Sequence, residues 1–420
     1  MKKLNVFYRQ KLVGSLIEDN EERLTFQYED SWINDEDHFS LSLALKVRKE
    51  SYDHLATKSF FENLLPEGEV KKILEMKSPE NIGDELNFLK KFGVDCAGAF
   101  VITDADSLPT PTSFESKEIK LETIYKYLAQ KRSVTEAIVN QEGGRFSLAG
   151  AQDKFPIILR RNKFYIPLNG EPTTHILKPH VMYFEDTTDT PFNEYFCMLL
   201  AADVGLNIPK VDVIVGQYPL YLIERFDRVF HGKNLVRIHV QDFCQAHGFT
   251  SKKKYEDDGG PTLVQNYRLI KNNSFSPLKD LDQFLKWIWF NLIIGNNDCH
   301  SKNLSFITTD EGLRLSPFYD LLCTVIYKGM TNKFSYSIGK QFKWFDLKNR
   351  NFEGLAKELE IDSNLVFKIG KEMIDKIDSM LPDKRAEFEK AYPNIKTVHK
   401  IEKEIEKRIR HLRSNIPRLK

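Results

Sequence analysis

A short polar stretch between residues 295 and 303 holds the side chains best suited to chemistry. Asp298 and Asn303 stand five positions apart in it, and Asp320 follows after the next short apolar segment. One carboxylate can take the proton of an attacking hydroxyl, while a carboxamide and a second carboxylate supply oxygen ligands for magnesium. The pattern indicates metal-assisted phosphoryl transfer. A polar surface loop rich in turn-forming residues would have the same local composition.

Two apolar segments must position this stretch. The helical pattern of residues 264–295 predicts a helix that ends at Gly295, and its last part, 284–294, is strongly apolar. Leu304 and the residues after it return to a strand pattern. A buried element that stops abruptly on glycine delivers the following polar side chains to an edge.

A second stretch with chemical potential lies upstream, between residues 143 and 154. Its glycines would let backbone amides approach a phosphate closely, although its spacing fits neither a Walker A loop nor a dinucleotide fingerprint. A structural hairpin turn is the alternative. Lys178 closes a predicted strand downstream, where a kinase-like site places the lysine that pairs with nucleotide phosphates. A lysine at a sheet edge that reaches solvent would look the same.

Composition limits the possible classes. At 420 residues, the chain can form two or more domains with real cores. Its 61 basic and 60 acidic residues leave a net charge of +1, which gives no electrostatic footprint for direct nucleic-acid binding. Five scattered cysteines without a Cys-x-x-Cys pair argue against disulfides and structural zinc. We expect no membrane span, no signal peptide and a cytoplasmic location.

The remaining pattern predicts a mixture of strands and helices. Short alternating apolar segments over residues 4–33, continued by Leu41–Leu45, predict a small antiparallel meander. Residues 104–118 have the composition of a linker, and 119–137 show helical spacing. The last segment, 396–420, carries an excess of basic residues that is typical of a solvated helix face.

Several motifs occur in one order along the chain. They are Ser147-Leu-Ala-Gly-Ala-Gln-Asp-Lys154, Thr174-His-Ile-Leu-Lys178-Pro, Asn193-Glu-Tyr, Glu224-Arg-Phe-Asp-Arg228, Lys254-Tyr-Glu, Gly259-Gly-Pro261, Gly295-Asn-Asn-Asp298-Cys-His-Ser-Lys-Asn303 and Pro317-Phe-Tyr-Asp320. In this order they resemble the HipA family of bacterial serine/threonine-protein kinase toxins. Two N-terminal segments, Leu41–Leu45 and Phe60–Gly68, are similar to the family as well, so the resemblance covers nearly the whole chain.

The resemblance implies an α+β, bilobal, protein-kinase-like fold with a mainly-β N-terminal subdomain and a mainly helical C-terminal lobe. It divides the chain into an N-terminal subdomain (1–108), a linker and helix (109–140), a nucleotide-binding part (141–228) and a helical lobe (229–420). It also implies ATP and Mg²⁺ as cofactors and a helix-turn-helix antitoxin, HipB, as partner. The substrate class is aminoacyl-tRNA synthetases, such as glutamate–tRNA ligase. Phosphorylation would stall translation and promote growth arrest and persistence. DNA would be contacted mainly through the antitoxin.

The resemblance also assigns roles to individual residues. Asp298 would be the catalytic base, Asn303 and Asp320 the magnesium ligands, and Ser147 an autophosphorylation site that switches the enzyme off. The nucleotide-binding set would contain Ser147, Leu148, Ala149, Gly150, Ala151, Gln152, Lys154, Lys178, Glu224, Arg225, Phe226, His300, Lys302, Asn303 and Asp320. Within it, Lys178 would hold phosphates, and the backbone at Glu224 and Phe226 would meet adenine. We interpret His300 and Lys302 as residues that shape the loop.

Two differences from the family are visible: Asp153 stands where glutamate is common, and Cys299 where glycine is common. Neither removes a required group. Two other classes of function stay open from sequence. The chain could be a catalytically silent co-repressor, although the intact set of acidic, amide and lysine side chains speaks against this. It could also be a small-molecule or lipid kinase of similar architecture.

Overall fold

The computed structural model describes residues 2–77, 84–110, 113–142, 150, 152–181, 187–232 and 234–419. The helices are α1 Asp30–Ile33, α2 His54–Phe61, α3 Gly68–Lys77, α4 Glu85–Phe92, α5 Leu121–Ala129, α6 Val134–Ala137, α7 Thr190–Asp203, α8 Phe243–His247, α9 Leu263–Asn273, α10 Pro277–Ile294, α11 Asn349–Leu359, α12 Ser363–Ala391 and α13 Thr397–Asn415. Within these ranges, no helix has both the length and the apolar character needed to cross a membrane.

The strands complete an α+β architecture, as the sequence predicts. They are β1 Lys2–Tyr8, β2 Lys11–Glu18, β3 Leu24–Tyr28, β4 Phe100–Thr103, β5 Ser116–Ile119, β6 Phe155–Arg160, β7 Lys163–Pro167, β8 His175–Pro179, β9 Val211–Ile214, β10 Leu220–Glu224, β11 Arg228–His231, β12 Asn234–Arg237, β13 Val240–Asp242, β14 Ser305–Thr309, β15 Gly312–Leu315, β16 Lys333–Ile338 and β17 Gln341–Lys343.

The chain divides into two compact units, each built from separate stretches of sequence. The first contains 1–179, 222–252 and 305–308, and the second contains 180–221, 253–304 and 309–420. The predicted domain boundaries follow the chain without such interruptions, and they stay a prediction.

The N-terminal sheet of the first unit confirms the predicted antiparallel meander. Its strands lie in the order β3-β2-β1-β4, with antiparallel pairing throughout. The strand expected at Leu41–Leu45 is wrong, because these residues form bends. The Tyr28 hydroxyl accepts from Leu41 N and donates to Leu45 O. Leu43 N donates to the Gln241 side chain. Side chains, and not a strand ladder, therefore satisfy this backbone.

A second sheet in the first unit carries the predicted nucleotide-binding segments. Five of its strands lie in the order β5-β7-β6-β8-β10. The helix predicted for residues 119–137 is wrong in extent, because Ile119 ends β5 and Lys131, with a positive φ of 54°, separates α5 from α6. β5 also occupies the end of the predicted linker.

The second unit is mainly helical and is centred on α10. The predicted helix 264–295 is two helices, because Pro277 lacks an N–H and begins a new one. Trp289 of α10 stacks on Phe352 with ring centroids 4.4 Å apart, and its indole donates to Val366 O. A β-carbon at Gly370 would lie 2.4 Å from the Trp289 ring, so glycine allows α12 to approach α10 closely.

The C-terminal helix α13 is solvated on one face only. Its other face buries apolar side chains and Arg408. The Arg408 guanidinium donates to Leu292 O and pairs with Glu404. One of the basic residues predicted to lie on a solvated face, Arg408, is therefore buried and anchors α13 beside the end of α10.

Candidate active site

The polar stretch after α10 forms a tightly bonded loop in the second unit. α10 ends at Ile294 and is capped by Gly295, whose φ of +77° is a left-handed conformation suited to glycine. A β-carbon there would lie 2.7 Å from the Val325 side chain. The Gly295 carbonyl accepts from the backbone and hydroxyl of Thr324. These contacts fix the direction in which the loop leaves the helix.

Asp298 is half-buried, and its backbone is the centre of the loop. Its carbonyl accepts from His300 N at 3.0 Å and from Asn303 Nδ2 at 3.0 Å. Its carboxylate accepts a hydrogen bond from the Tyr255 hydroxyl. The loop therefore joins two of the predicted site residues directly, Asp298 and Asn303.

Asn296 ties this loop to the segment that carries Asp320. The Asn296 side chain is fully buried, donates to Asp320 O at 3.2 Å and to Asn291 Oδ1 at 2.8 Å, and accepts from Asp298 N at 3.1 Å. One amide side chain thus bonds to the backbone of both predicted acids and fixes the distance between them. Asp320 has a φ of +61°, a conformation that costs free energy in residues other than glycine and that clusters at functional sites.

The donor set suits magnesium. Because Asn303 Nδ2 is bonded to Asp298 O, the amide oxygen Oδ1 is the atom left to act as a ligand. Asp320 would add a carboxylate oxygen. Magnesium is typically held by one or two protein oxygens together with waters and substrate phosphates, so two protein donors are enough. No cluster of three or more histidine, cysteine or acidic side chains that could hold a metal occurs among the residues described.

His300 and Lys302 are buried in the loop. The His300 ring meets the Tyr255 ring edge-on at 5.1 Å, and Lys302 O accepts from the Tyr319 hydroxyl at 2.8 Å. These contacts agree with a role in shaping the loop. The Cys299 thiol is buried, and burial raises its pKa, so it is an inert core side chain.

The first unit holds the predicted phosphate-binding residues. Lys178 lies in β8 and is 4 % exposed. Gly150 has a φ of +116°, and a β-carbon there would lie 2.7 Å from Lys154 Nζ, so glycine lets the ammonium approach the backbone. Gln152 donates to Pro179 O at 3.5 Å, which links the end of the Gly-rich stretch to the end of β8. Ser147, Leu148, Ala149 and Ala151 lie outside the described residues.

Two contacts hold the described, C-terminal part of the Gly-rich stretch. Glu67 N donates to Gly150 O at 2.9 Å, so the N-terminal Pro-Glu-Gly motif contacts Gly150. Asp153 is buried and accepts from the backbone of Val134 and from the side chains of Ser133 and Thr135 at the start of α6. Burial raises the pKa of Asp153, against the effect of these donors. Asp153, the shorter acid that stands here in place of glutamate, thus anchors this stretch to the start of α6.

Glu224 ends β10, and Glu224 and Phe226 are both half-buried. Arg225 between them points into the first unit. Its guanidinium donates to both oxygens of Asp227, to Asp95 Oδ2 and to Cys96 O. This side chain therefore belongs to a buried ion cluster and not to a surface that a nucleotide could reach.

The ion cluster consists of Asp95, Arg225, Asp227, Arg228 and Arg237. Burial alone would raise the pKa of Asp95, but the three arginines outweigh it and hold that pKa at about 2. The Asp95 carboxylate has no measurable exposure, so its charge is compensated entirely by these partners. The two arginines and the aspartate of the Arg-Phe-Asp-Arg motif are thereby explained as members of this buried ion cluster.

Sequence reasoning missed three residues of the loop environment. Asn296 and Tyr255 contact the Asp298 segment directly, and Ser301 bonds to the Asn266 side chain and the Tyr336 hydroxyl. The signal for Tyr255 was its place in the Lys254-Tyr-Glu motif. Nothing in the pattern shows which atom it meets.

The chain has a kinase-like α+β fold, and its site joins an acid, an amide and a second acid. Comparisons with known proteins identify the family and agree with the fold. The family model described as HipA N-terminal domain matches residues 4–103, and the HipA-like C-terminal domain matches 146–381. Y4mE of Sinorhizobium fredii is 33 % identical over 368 residues, which covers 86 % of this chain and 87 % of that protein.

Two further matches, one to a sequence and one to a solved structure, come from Shewanella oneidensis. Its serine/threonine-protein kinase toxin HipA is 30 % identical over 296 residues, which covers 67 % of this chain and 66 % of the toxin. A solved structure of HipA in a complex with HipB and operator DNA has a TM-score of 0.81 at 24 % identity, covering 97 % of this chain and 96 % of that one. The chain belongs to the HipA family of kinases.

Proposed function

We propose that this chain is an ATP- and Mg²⁺-dependent serine/threonine-protein kinase and the toxin of a type II toxin–antitoxin pair. The observation that carries the proposal is the bonded loop in which Asn303 holds the Asp298 backbone and Asn296 spaces Asp298 from Asp320. An acid, an amide and a second acid held in one frame are the groups that phosphoryl transfer requires.

In the proposed reaction, the protein mainly positions groups and compensates charge. Asp298 accepts the proton of the attacking hydroxyl, and such a general base contributes about 10²–10⁴-fold to the rate. Asn303 and Asp320 hold the metal, and Lys178 pairs with the nucleotide phosphates. Magnesium, when bound, neutralises the charge that develops on the transferred phosphoryl group. Glu224 and Phe226 would offer backbone groups to the adenine.

Self-inactivation is part of the proposal. Phosphorylation of Ser147 would add about 1.5 to 2 negative charges to the stretch that covers the ATP phosphates, and like charges would repel. The modified stretch would then leave the nucleotide site.

The target and partners are proposed from the relatives. A HipA toxin and a HipA–HipB–operator complex are among them, which supports a HipB-like helix-turn-helix antitoxin and co-repression of the operon. We propose an aminoacyl-tRNA synthetase, such as glutamate–tRNA ligase, as the cytoplasmic substrate. Its modification would stall translation and promote persistence.

Mass spectrometry after incubation with Mg-ATP tests the kinase. We expect phosphate on Ser147 in the wild type and none in Asp298→Asn, because the amide cannot accept the proton. Asp282→Asn is the matched control. Asp282 lies in α10 and forms a partly exposed ion pair with Lys286, so this variant should transfer phosphate normally. A wild type without any transfer would favour a silent co-repressor, and an active Asp298→Asn would remove Asp298 from its role.

A further inference from the structure

Tyr255 meets the proposed catalytic base from outside the catalytic loop. Its phenol donates a hydrogen bond to Asp298 Oδ1 within the second unit. The two residues are 43 positions apart in sequence. Chain connectivity alone therefore does not bring them together, and the surrounding backbone must hold the phenol in place.

The segment around Tyr255 is fixed on both sides. Lys254 O accepts from Ser301 N of the catalytic loop at 3.3 Å. The Glu256 carboxylate accepts from Ser337 N at 3.0 Å and from the Ser337 hydroxyl. The residues before and after Tyr255 are both bonded to neighbouring elements. The backbone position from which the Tyr255 side chain extends is therefore fixed.

The Gly-Gly-Pro end of the motif closes the same turn. Gly260 N donates to Tyr255 O at 2.9 Å, and a β-carbon at Gly260 would lie 2.1 Å from Lys253 O. No other residue fits there without displacing the backbone. The ring itself packs edge-on against His300 of the loop.

From this geometry we propose that Tyr255 is a positioning residue for Asp298. The inference rests on the proposed function. The terminal torsion of an aspartate is broad, so a carboxylate without a partner samples many orientations. The phenol occupies Oδ1 and leaves Oδ2 to accept the proton of the attacking serine or threonine hydroxyl, while that hydroxyl oxygen bonds to the γ-phosphorus of ATP and ADP leaves. Correct orientation of a reacting group is worth a large part of its catalytic effect.

Tyr255→Phe removes only the hydroxyl. We expect kcat to fall about tenfold, a fraction of the 10²–10⁴ that a general base supplies, while KM for ATP stays unchanged. Tyr336→Phe is the structural comparison, because it removes a buried hydroxyl that bonds to Ser301 and Asn266, whereas the Tyr255 hydroxyl bonds to Asp298. We expect that variant to lose thermal stability with a smaller fall in kcat. Equal losses of kcat in both variants, or normal kcat in folded Tyr255→Phe, would overturn the positioning role.

A second measurement does not depend on activity. With 3-fluorotyrosine at position 255 of the full chain, the ¹⁹F signal should move in Asp298→Ala and stay in place in Asp282→Asn. A ¹⁹F chemical shift that is the same in Asp298→Ala as in the wild type would show that the contact is absent in solution. A wild type that transfers no phosphate contradicts the proposed function itself, whereas normal turnover by Tyr255→Phe overturns the positioning role alone.

Discussion

At the scale of single residues, Asn296 connects more parts of the candidate site than its residue type suggests. Its amide uses both ends, since the nitrogen donates to Asn291 and to the Asp320 carbonyl and the oxygen accepts from Asp298 N. Serine or alanine could not reproduce this bridge. We therefore treat Asn296 as the residue that sets the spacing between the proposed base and the second proposed metal ligand.

Asn296→Ala should damage both folding and chemistry. It leaves buried polar groups without partners, each worth about 1–3 kcal/mol of unfolding free energy. We also expect kcat to fall at least about tenfold, because misplacing a reacting group costs up to about 10²-fold. Urea unfolding and steady-state kinetics measure the two effects. The exposed Asn364→Ala is the control, and near-normal kcat in folded Asn296→Ala would contradict the bridge.

The sequence predicts the site at this scale as far as residue type and spacing can. Asp298, Asn303 and Asp320 carry groups that phosphoryl transfer needs, so they stand out in a short polar stretch. Asn296 resembles an ordinary turn former, and Tyr255 lies in a separate motif. Their roles depend on which atom faces which, and no periodicity encodes that.

At the scale of elements, His239 reveals how the N-terminal sheet meets the segment before β13. It is 3 % exposed, and its ring lies 4.5 Å from the Phe100 ring. Its Nε2 bonds to Leu41 O at 2.8 Å. Burial lowers its pKa to about 4, against a smaller opposite effect of that hydrogen bond. The histidine is therefore neutral in the folded protein near neutral pH.

This histidine should make the first unit acid-sensitive. The unfolded chain takes up its proton near pH 6.5 and the folded one only near pH 4, so stability falls as pH drops through this window. Between pH 7 and 5, we expect its contribution to the unfolding free energy to drop by about 2 kcal/mol. His239→Gln should remove that part of the pH dependence, as measured by urea unfolding at both pH values. The exposed His231→Gln should keep it, and parallel curves for His239→Gln and wild type would contradict the assignment.

The sequence predicts elements correctly where hydrophobic periodicity determines the secondary structure. It predicts them poorly where side chains from other elements form the backbone hydrogen bonds. The meander of β1, β2 and β3 follows from alternation. The bends at Leu41–Leu45 do not, because Tyr28 and Gln241 from distant elements take their hydrogen bonds. The break before α10 was signalled by Pro277, whose effect the continuous apolar spacing on either side concealed.

At the scale of the whole molecule, charge balance bears on the proposed operon control. With a net charge of +1, the chain has almost no excess of positive charge with which to neutralise DNA phosphates and release their counterions. The kinase-like fold and family could be predicted from the order of the motifs along the chain. The interruption of both compact units could not, because it depends on which distant stretches pack together.

We expect the chain alone to bind operator DNA weakly and its complex with a cognate antitoxin to bind tightly. Fluorescence anisotropy at two salt concentrations, with operator and scrambled duplexes, measures both. The antitoxin alone provides the control. Tight, sequence-specific binding by the chain without its partner would contradict the proposal that DNA contact is indirect.

The ion cluster of the first unit also determines when this unit can fold during translation. Asp95 leaves the ribosome 133 residues before Arg228, and Arg237 follows later still. At about 5–20 residues per second, the buried acid waits on the order of 10 s for its arginines. Until then the Asp95 carboxylate has no arginine to compensate its charge and must stay in contact with water. A nascent chain cannot complete its first unit early, and the proposed catalytic loop is made only after the last arginine of the cluster.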